Sequence, residues 1–147
     1  MATVLDFRAN EAAKGTFALP ITLTAGVEVF LTTINLNIFA TTNHSIFWST
    51  IGWQAAASVT PILPVITVRI RRGSASGAII FETTDSILAG LGPLLTTDRT
   101  FSSVHTDLSQ PAFIVGTLQT YFLTVELSGT GGATIVGPVN LTGFVMG

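Results

Sequence analysis

Three side chains capable of catalytic chemistry alternate along one predicted strand. Ser103, His105 and Asp107 lie two apart within residues 97–107, and side chains two apart on a strand point to the same face. These residue types form nucleophilic triads, in which the histidine accepts the serine proton and the acid orients the histidine. Polar residues on the surface of an edge strand produce this pattern far more often, so we predict no catalytic residue and no enzyme.

Other motifs also lack the residues that their chemistry requires. Residues 73–77 have the glycine spacing of a nucleophile elbow, but Ala75 stands where the attacking serine belongs. His44 and His105 are about sixty residues apart, and neither has an acidic cluster beside it. A closed zinc site needs four nitrogen, sulfur or oxygen ligands. We therefore predict no metal site and no cofactor.

A basic cluster at Arg69, Arg71 and Arg72 raises the alternative of anion or nucleic-acid binding. Glu82 and Asp85 follow across a predicted hairpin and can supply cross-strand partners. Three arginines neutralise few phosphates, and the formal net charge of the chain is −2. The sequence predicts no nucleic-acid partner.

The two tryptophans are candidates for stacking on a sugar ring. Trp48 and Trp53 are five residues apart, so a regular strand places them on opposite faces. We expect one to pack in the core and the other at an interface. A trimeric carbohydrate-binding module that uses Trp48 or Trp53 remains an alternative.

The composition indicates a domain that is covered by other protein. Charged residues make up 10% of the chain and hydrophobic residues 48%, and residues 29–68 contain no charge. Exposed apolar patches larger than a few hundred Å² usually mark interfaces. Polar residues interrupt every apolar stretch before the length of a membrane span, so we expect no membrane partner. The economical explanation is a homo-oligomer.

The elements that carry these residues are predicted to be strands, because β-branched and aromatic residues dominate between clusters of turn-forming residues. The fourth strand alternates most clearly, with Ile66, Val68 and Ile70 on one face and the arginines on the other. The apolar parity of the second strand changes near Thr32 and Thr33, which predicts a bulge. Residues 85–96 read as a crossover loop. The predicted strands are residues 17–24, 27–40, 44–56, 62–72, 78–84, 97–107, 113–127 and 132–146.

Eight strands without intervening helices predict an all-β fold, a single antiparallel β-sandwich of jelly-roll type. An immunoglobulin-like sandwich is the alternative, although its cysteine and tryptophan framework is missing. The domain is assigned to residues 16–147.

Residues 1–15 are predicted to form a separate extended or flexible arm, with a short helix as the alternative, because charged residues concentrate there and then nearly disappear until Arg69. These charges also interrupt the apolar core that a cleavable export signal requires. An arm that docks on the next subunit gives a contact that does not close on itself, so it propagates as a fibre or layer. The predicted intersubunit connector residues are Val4, Leu5 and Phe7.

The last strand ends in Asn140-Leu141-Thr142-Gly143-Phe144-Val145-Met146 and resembles the terminal strand of C1q/TNF-like jelly rolls. The stretch from Tyr121 to Val125 and the glycine-rich turn before this ending are similar to exosporium and endospore-appendage proteins of the bacterial spore surface. The resemblance implies a non-catalytic subunit that assembles into trimers, fibres or layers. In that family the Gly-Phe pair packs near a three-fold axis.

The resemblance places an oligomer interface at Tyr121, Phe144 and Val145. It implies a location at the spore surface or in another extracellular assembly, reached without a cleavable signal, with other spore-surface proteins as further partners. The chain departs from the family in lacking cysteines for cross-linking and a collagen-like repeat. A phage or capsid jelly-roll protein is the structural alternative.

Overall fold

The computed structural model describes residues 1–12, 19–92 and 94–147. Within these residues the chain forms strands and one 3-10 turn at Ala112–Ile114. No helix in this part of the chain has the length and apolar character needed to cross a membrane. The strands are β1 (Val4–Glu11), β2 (Ile21–Thr22), β3 (Glu28–Ile38), β4 (His44–Ala55), β5 (Pro64–Arg72), β6 (Ala78–Ser86), β7 (Thr97–Asp107), β8 (Thr117–Gly129) and β9 (Ala133–Met146).

The strands form two antiparallel sheets packed as a sandwich. Sheet A has the order β1-β9-β4-β7, with β2 also paired to β9, and sheet B has the order β3-β8-β5-β6. The pairing is nested: β5 pairs with β6, β4 with β7, β3 with β8, and β1 with β9. This is a long antiparallel ribbon rolled into two sheets, the arrangement of a jelly roll. The predicted fold class is confirmed.

Alternation along the strands separates core from surface. In β5 the side chains of Ile66, Val68 and Ile70 are buried, whereas Arg69 and Arg71 point outward from sheet B. In β3 the register shifts between Phe30 and Thr32, so the predicted bulge is present and begins slightly earlier than expected. At the bulge the buried side changes: the odd-numbered Leu31 is buried, and from Thr32 onward the even-numbered residues of β3 are buried.

The core lies between the two sheets and includes two residues that were predicted at a subunit interface. Tyr121 is fully buried, and its ring lies 4.7 Å from that of Phe47, measured between centroids. Burial raises the pKa of Tyr121 to about 12, which keeps its hydroxyl neutral. Val145 is also fully buried. A side chain without exposed surface cannot contact a neighbour, so both are corrected to core residues.

The N-terminal segment is an edge strand of sheet A. Residues of β1 pair with β9 of the same chain, with Phe7 opposite Phe144. Asp6 accepts a hydrogen bond from the backbone N–H of Asn37 at 2.8 Å, and the Asn10 amide donates one to the Thr33 carbonyl at 3.0 Å. These contacts attach β1 to the edge of sheet B. The predicted boundary at residues 15 and 16 lies outside the described residues.

Candidate functional site

The outer face of sheet A carries an exposed tryptophan at its centre. Even-numbered residues of β4 point outward, because the odd-numbered ones, such as Phe47 and Ile51, fill the core. Trp48 is consequently 51% exposed, whereas Trp53 is fully buried. The prediction that the two tryptophans lie on opposite faces is confirmed.

Strand pairing brings other apolar side chains beside Trp48. Phe144 of β9 is paired with both Ile46 and Phe7, and Val104 of β7 is paired with Trp48. The Phe144 ring centroid lies 5.0 Å from that of Phe7 and 5.5 Å from that of Trp48. Contacts of this kind stabilise aromatic side chains beyond simple burial. We call this surface the aromatic face; it consists of Val4, Phe7, Ile46, Trp48, Val104, Phe144 and Met146.

The aromatic face is uncharged and open to solvent. Phe7 is 48% exposed, and Val4 and Val104 are more exposed still. Farther along the same strands the outward positions become polar, with Thr50, Ser102 and Asn140 in register. An apolar surface with a polar border is the usual anatomy of a protein-binding site.

The outer face of sheet B instead carries a network of ion pairs. Arg69 donates hydrogen bonds to Glu82 at 2.6 Å and to Glu126 at 2.7 Å. Arg71 holds Glu28 with two hydrogen bonds, at 2.7 and 2.8 Å, and Thr124 also donates to Glu28. The network joins all four strands of sheet B.

The network shifts the acidity of its members. The hydrogen bonds from Arg71 hold the pKa of Glu28 below its usual value, against the opposing effect of burial. The hydrogen bonds to Glu126 and Glu82 raise the pKa of Arg69. Both directions favour the charged forms of Glu28 and Arg69.

One predicted ion pair is wrong. Asp85 was expected to pair with the arginine cluster across the hairpin, but it is opposite the core residue Ile66 and therefore points inward. It accepts hydrogen bonds from Trp53 and Arg99 instead. Arg72 places its guanidinium 5.5 Å from the ring centroid of Phe113.

Two of the three residues that suggested a triad have other partners. The Ser103 hydroxyl is hydrogen-bonded to that of Ser49 at 2.6 Å, and the His105 ring stacks on Phe81 at 4.9 Å. Among the described residues, no group of three or more His, Cys, Asp or Glu side chains is arranged to hold a metal ion.

Four of the residues that the sequence analysis predicted at contacts between subunits lie at or near this face. Val4, Phe7 and Phe144 meet on the aromatic face, and Leu5 is an exposed residue at the irregular start of β1. Sequence reasoning missed Ile46, Val104 and Met146. The alternation within β4 was a usable signal for Ile46, since it shares parity with Trp48.

Comparisons with known proteins give matches at the level of structure. No family model and no curated protein matches the chain. Among solved structures, infectious bursal disease virus Gx strain matches at 16% identity with a TM-score of 0.43, covering 96% of this chain and 37% of that one. The VP2 subviral particle of infectious bursal disease virus matches at 16% identity with a TM-score of 0.38, covering 96% of this chain and 39% of that one. The T13 viral particle of that virus matches at 16% identity with a TM-score of 0.42, covering 96% of this chain and 37% of that one. The chain thus spans less than two fifths of each of these proteins.

Proposed function

We propose that this chain is a non-catalytic structural subunit that associates with copies of itself through the aromatic face. The observation that carries the proposal is the exposed ring cluster of Phe7, Trp48 and Phe144, which is uncharged and confined to one outer sheet surface. Buried aromatic anchors supply much of the binding energy at protein interfaces. An identical copy offers a matching apolar surface.

The assembly unit in this proposal is a trimer. Closed symmetry lets each copy present the same surface around an axis, so that no aromatic face remains exposed. The resemblance of the C-terminal strand to C1q/TNF-like domains supports a three-fold axis, because Phe144 of the Gly143-Phe144 pair belongs to the aromatic face. Phe144 would then lie near the axis and Val104 toward the rim.

The N-terminal strand is proposed to connect subunits into fibres or layers. Most β1 side chains are exposed, and the strand contacts its own chain mainly through backbone pairing with β9. A neighbour's β1 could occupy the same position, since the acceptor strand is identical in every copy. Val4, Leu5 and Phe7 of one subunit would then contact β9 of the neighbouring subunit as connector residues.

The proposed location is the bacterial spore surface, with other spore-surface proteins as partners. This rests on the resemblance of the C-terminal residues to exosporium and endospore-appendage proteins. Immunogold labelling of intact spores tests it directly. Labelling confined to the interior of the cell would contradict it.

Sedimentation and electron microscopy of the purified chain test the assembly. We expect defined oligomers from the intact chain and monomers from Trp48→Asp, because a charge at the centre of the face must be desolvated on association. Phe113→Asp is the matched control: Phe113 is 76% exposed but lies in the 3-10 turn, away from sheet A. A monomeric intact chain, or a Trp48→Asp variant that assembles normally, would sink the proposal.

A variant lacking residues 1–15 tests the connector, and the double substitution Val4→Ala and Phe7→Ala in the intact chain is its control, because the deletion also removes these two residues from the aromatic face. We expect isolated trimers from the deletion variant, and fibres or layers from the control, whose first strand is still present. Fibres that persist without residues 1–15 would contradict the connector role and leave the aromatic face as the contact. Closed shells in place of open fibres would favour the capsid alternative.

A further inference from the structure

Side chains of the first strand also bind the edge of the opposite sheet. The receiving strand is β3, an edge strand of sheet B that pairs with β8. Asp6 Oδ2 accepts hydrogen bonds from the backbone N–H of Asn37 at 2.8 Å and from its side-chain amide at 3.2 Å. Farther along β1, the Asn10 amide donates to the Thr33 carbonyl at 3.0 Å. β1 therefore presents an acceptor at one point of the β3 edge and a donor at the other.

The carboxylate of Asp6 is oriented by its own strand. Its side chain is 7% exposed. The second oxygen, Oδ1, accepts a hydrogen bond from the backbone N–H of Phe7 at 2.9 Å and lies 2.9 Å from Nη1 of Arg8. These partners belong to β1 and move with it, so the carboxylate keeps its direction whichever sheet edge the strand binds. Its contact with Asn37 is the one that depends on the receiving sheet.

Alternation alone does not fix the register of β1. Asp6 is opposite the core residue Val145, and a slip by one residue would turn Phe7 inward in its place. A slip by two residues keeps each side chain on its side. In one direction it brings Arg8, a donor, against the Asn37 N–H, and in the other it brings the apolar start of the strand there. Of these registers, the observed one alone gives both points on β3 a partner.

We propose that Asp6 and Asn10 are the specificity-determining residues of the first strand and set its register on the sheet that receives it. A slipped strand leaves the Asn37 N–H without an acceptor, which costs more than the bond itself contributes. The form of this inference that concerns contacts between subunits rests on the proposed connector role. In that role, the two contacts select one register on a neighbouring copy and so fix the spacing of successive subunits.

Disulfide trapping reads the register directly, because the chain contains no cysteine. Residues directly opposite each other on antiparallel strands lie within reach of a disulfide, whereas a shift by two residues separates them too far. Ala9→Cys combined with Thr142→Cys reports the observed register. Two further pairs report slips by two residues, one in each direction: Glu11→Cys with Thr142→Cys, and Ala9→Cys with Asn140→Cys.

The yield of each cross-link after mild oxidation is measured by mass spectrometry. We expect Asp6→Ala to lower the ratio of observed to slipped cross-links about tenfold, because it removes hydrogen bonds to a charged acceptor. Asp6→Asn should restore the ratio, since an amide oxygen still accepts from Asn37. Asn10→Ala should lower it by a smaller factor, because one neutral hydrogen bond is lost. Arg8→Ala is the matched control, since its contacts with Asp6 and Phe7 lie within β1.

Three outcomes would overturn the inference: an unchanged ratio in Asp6→Ala, an equal fall in Arg8→Ala, or an Asp6→Asn variant that slips as readily as Asp6→Ala. The mass of the cross-linked products tests the connector role separately. A ladder on a non-reducing gel marks strands bound to neighbouring copies. Cross-linked monomers whose register depends on Asp6 would contradict the connector role and leave Asp6 and Asn10 as the residues that set the register.

Discussion

The two outer sheet surfaces of this domain differ in how their outward side chains are satisfied. On sheet B, Arg69 and Arg71 are paired with three glutamates of neighbouring strands. On sheet A, Phe7, Trp48 and Phe144 contact one another and remain largely open to water. The strands alternate in the same way on both sheets. What differs is that the charged side chains of sheet B are paired within one chain, whereas the aromatic cluster of sheet A is exposed at the centre of its face, as the proposed self-association requires.

The chain has few charges, and sheet B uses many of them. A chain with 10% charged residues that places five in one network leaves little charge elsewhere. The same distribution that stabilises one face therefore leaves the other free of the charges that normally oppose association. In the proposed assembly, stability and association therefore depend on opposite sides of the sandwich.

Removing the centre of the ionic network should give the largest change in stability. We expect Arg69→Ala to lower the free energy of unfolding by about 1–3 kcal/mol, because Glu28, Glu82 and Glu126 lose a shared partner. Denaturant unfolding measures the change. Trp48→Ala is the comparison from sheet A and should cost less stability while weakening assembly. Equal losses of stability in both variants would erase the distinction between the faces.

The second-largest effect should be a loss of stability at low pH, through the ion pairs of sheet B. The pKa of Glu28 is lowered in the folded chain from its reference value of 4.5, mainly by Arg71. Its stabilising contribution is therefore complete above that reference value and is lost as the pH falls through the lower folded pKa. Melting temperatures measured from neutral pH to pH 3 should fall less steeply for Glu28→Gln than for wild type. Parallel profiles would show that Glu28 does not report on the network.

The smallest effects should come from salts: sodium chloride should lower the stability that sheet B provides, and ammonium sulfate should strengthen association through sheet A. Sodium chloride screens partly exposed ion pairs, with a Debye length of about 10 Å at 0.1 M, so it should slightly lower the melting temperature of the monomeric Trp48→Asp variant. Ammonium sulfate strengthens apolar burial and should tighten association of the wild type. Association that weakens in ammonium sulfate would indicate an ionic interface in place of the aromatic face.

Much of the fold was predictable because alternation and turn residues are local signals. The strand around Ile66 to Arg71, the bulge in β3 and the separation of Trp48 from Trp53 all follow from parity. The misplaced interface residues were also within reach: Tyr121 shares parity with the buried Leu123. Parity would have assigned it to the core.

The site itself depends on pairing across long distances in sequence. Nothing near Trp48 indicates that Phe144 and Val104 will flank it, because the register of β4 against β9 and β7 sets those neighbours. The same holds for Asp85, whose inward direction is fixed by its pairing with Ile66. The register shift between β4 and β9 at Gly52 was not predicted, because the buried residues Ile135 and Val139 on either side of it keep the same parity.

The nested pairing of the strands has a consequence for the order in which the domain closes. The β5–β6 pair closes a short loop, and the β4–β7 pair closes a longer one. The β1–β9 pair closes a loop that contains nearly the whole chain. Loop-closure entropy rises with each step, so the β5–β6 hairpin is the natural nucleus and β1 the last strand to dock. With that order of docking, the β9 edge stays open until β1 arrives, and the proposed connector role requires a neighbour's first strand to dock during this interval.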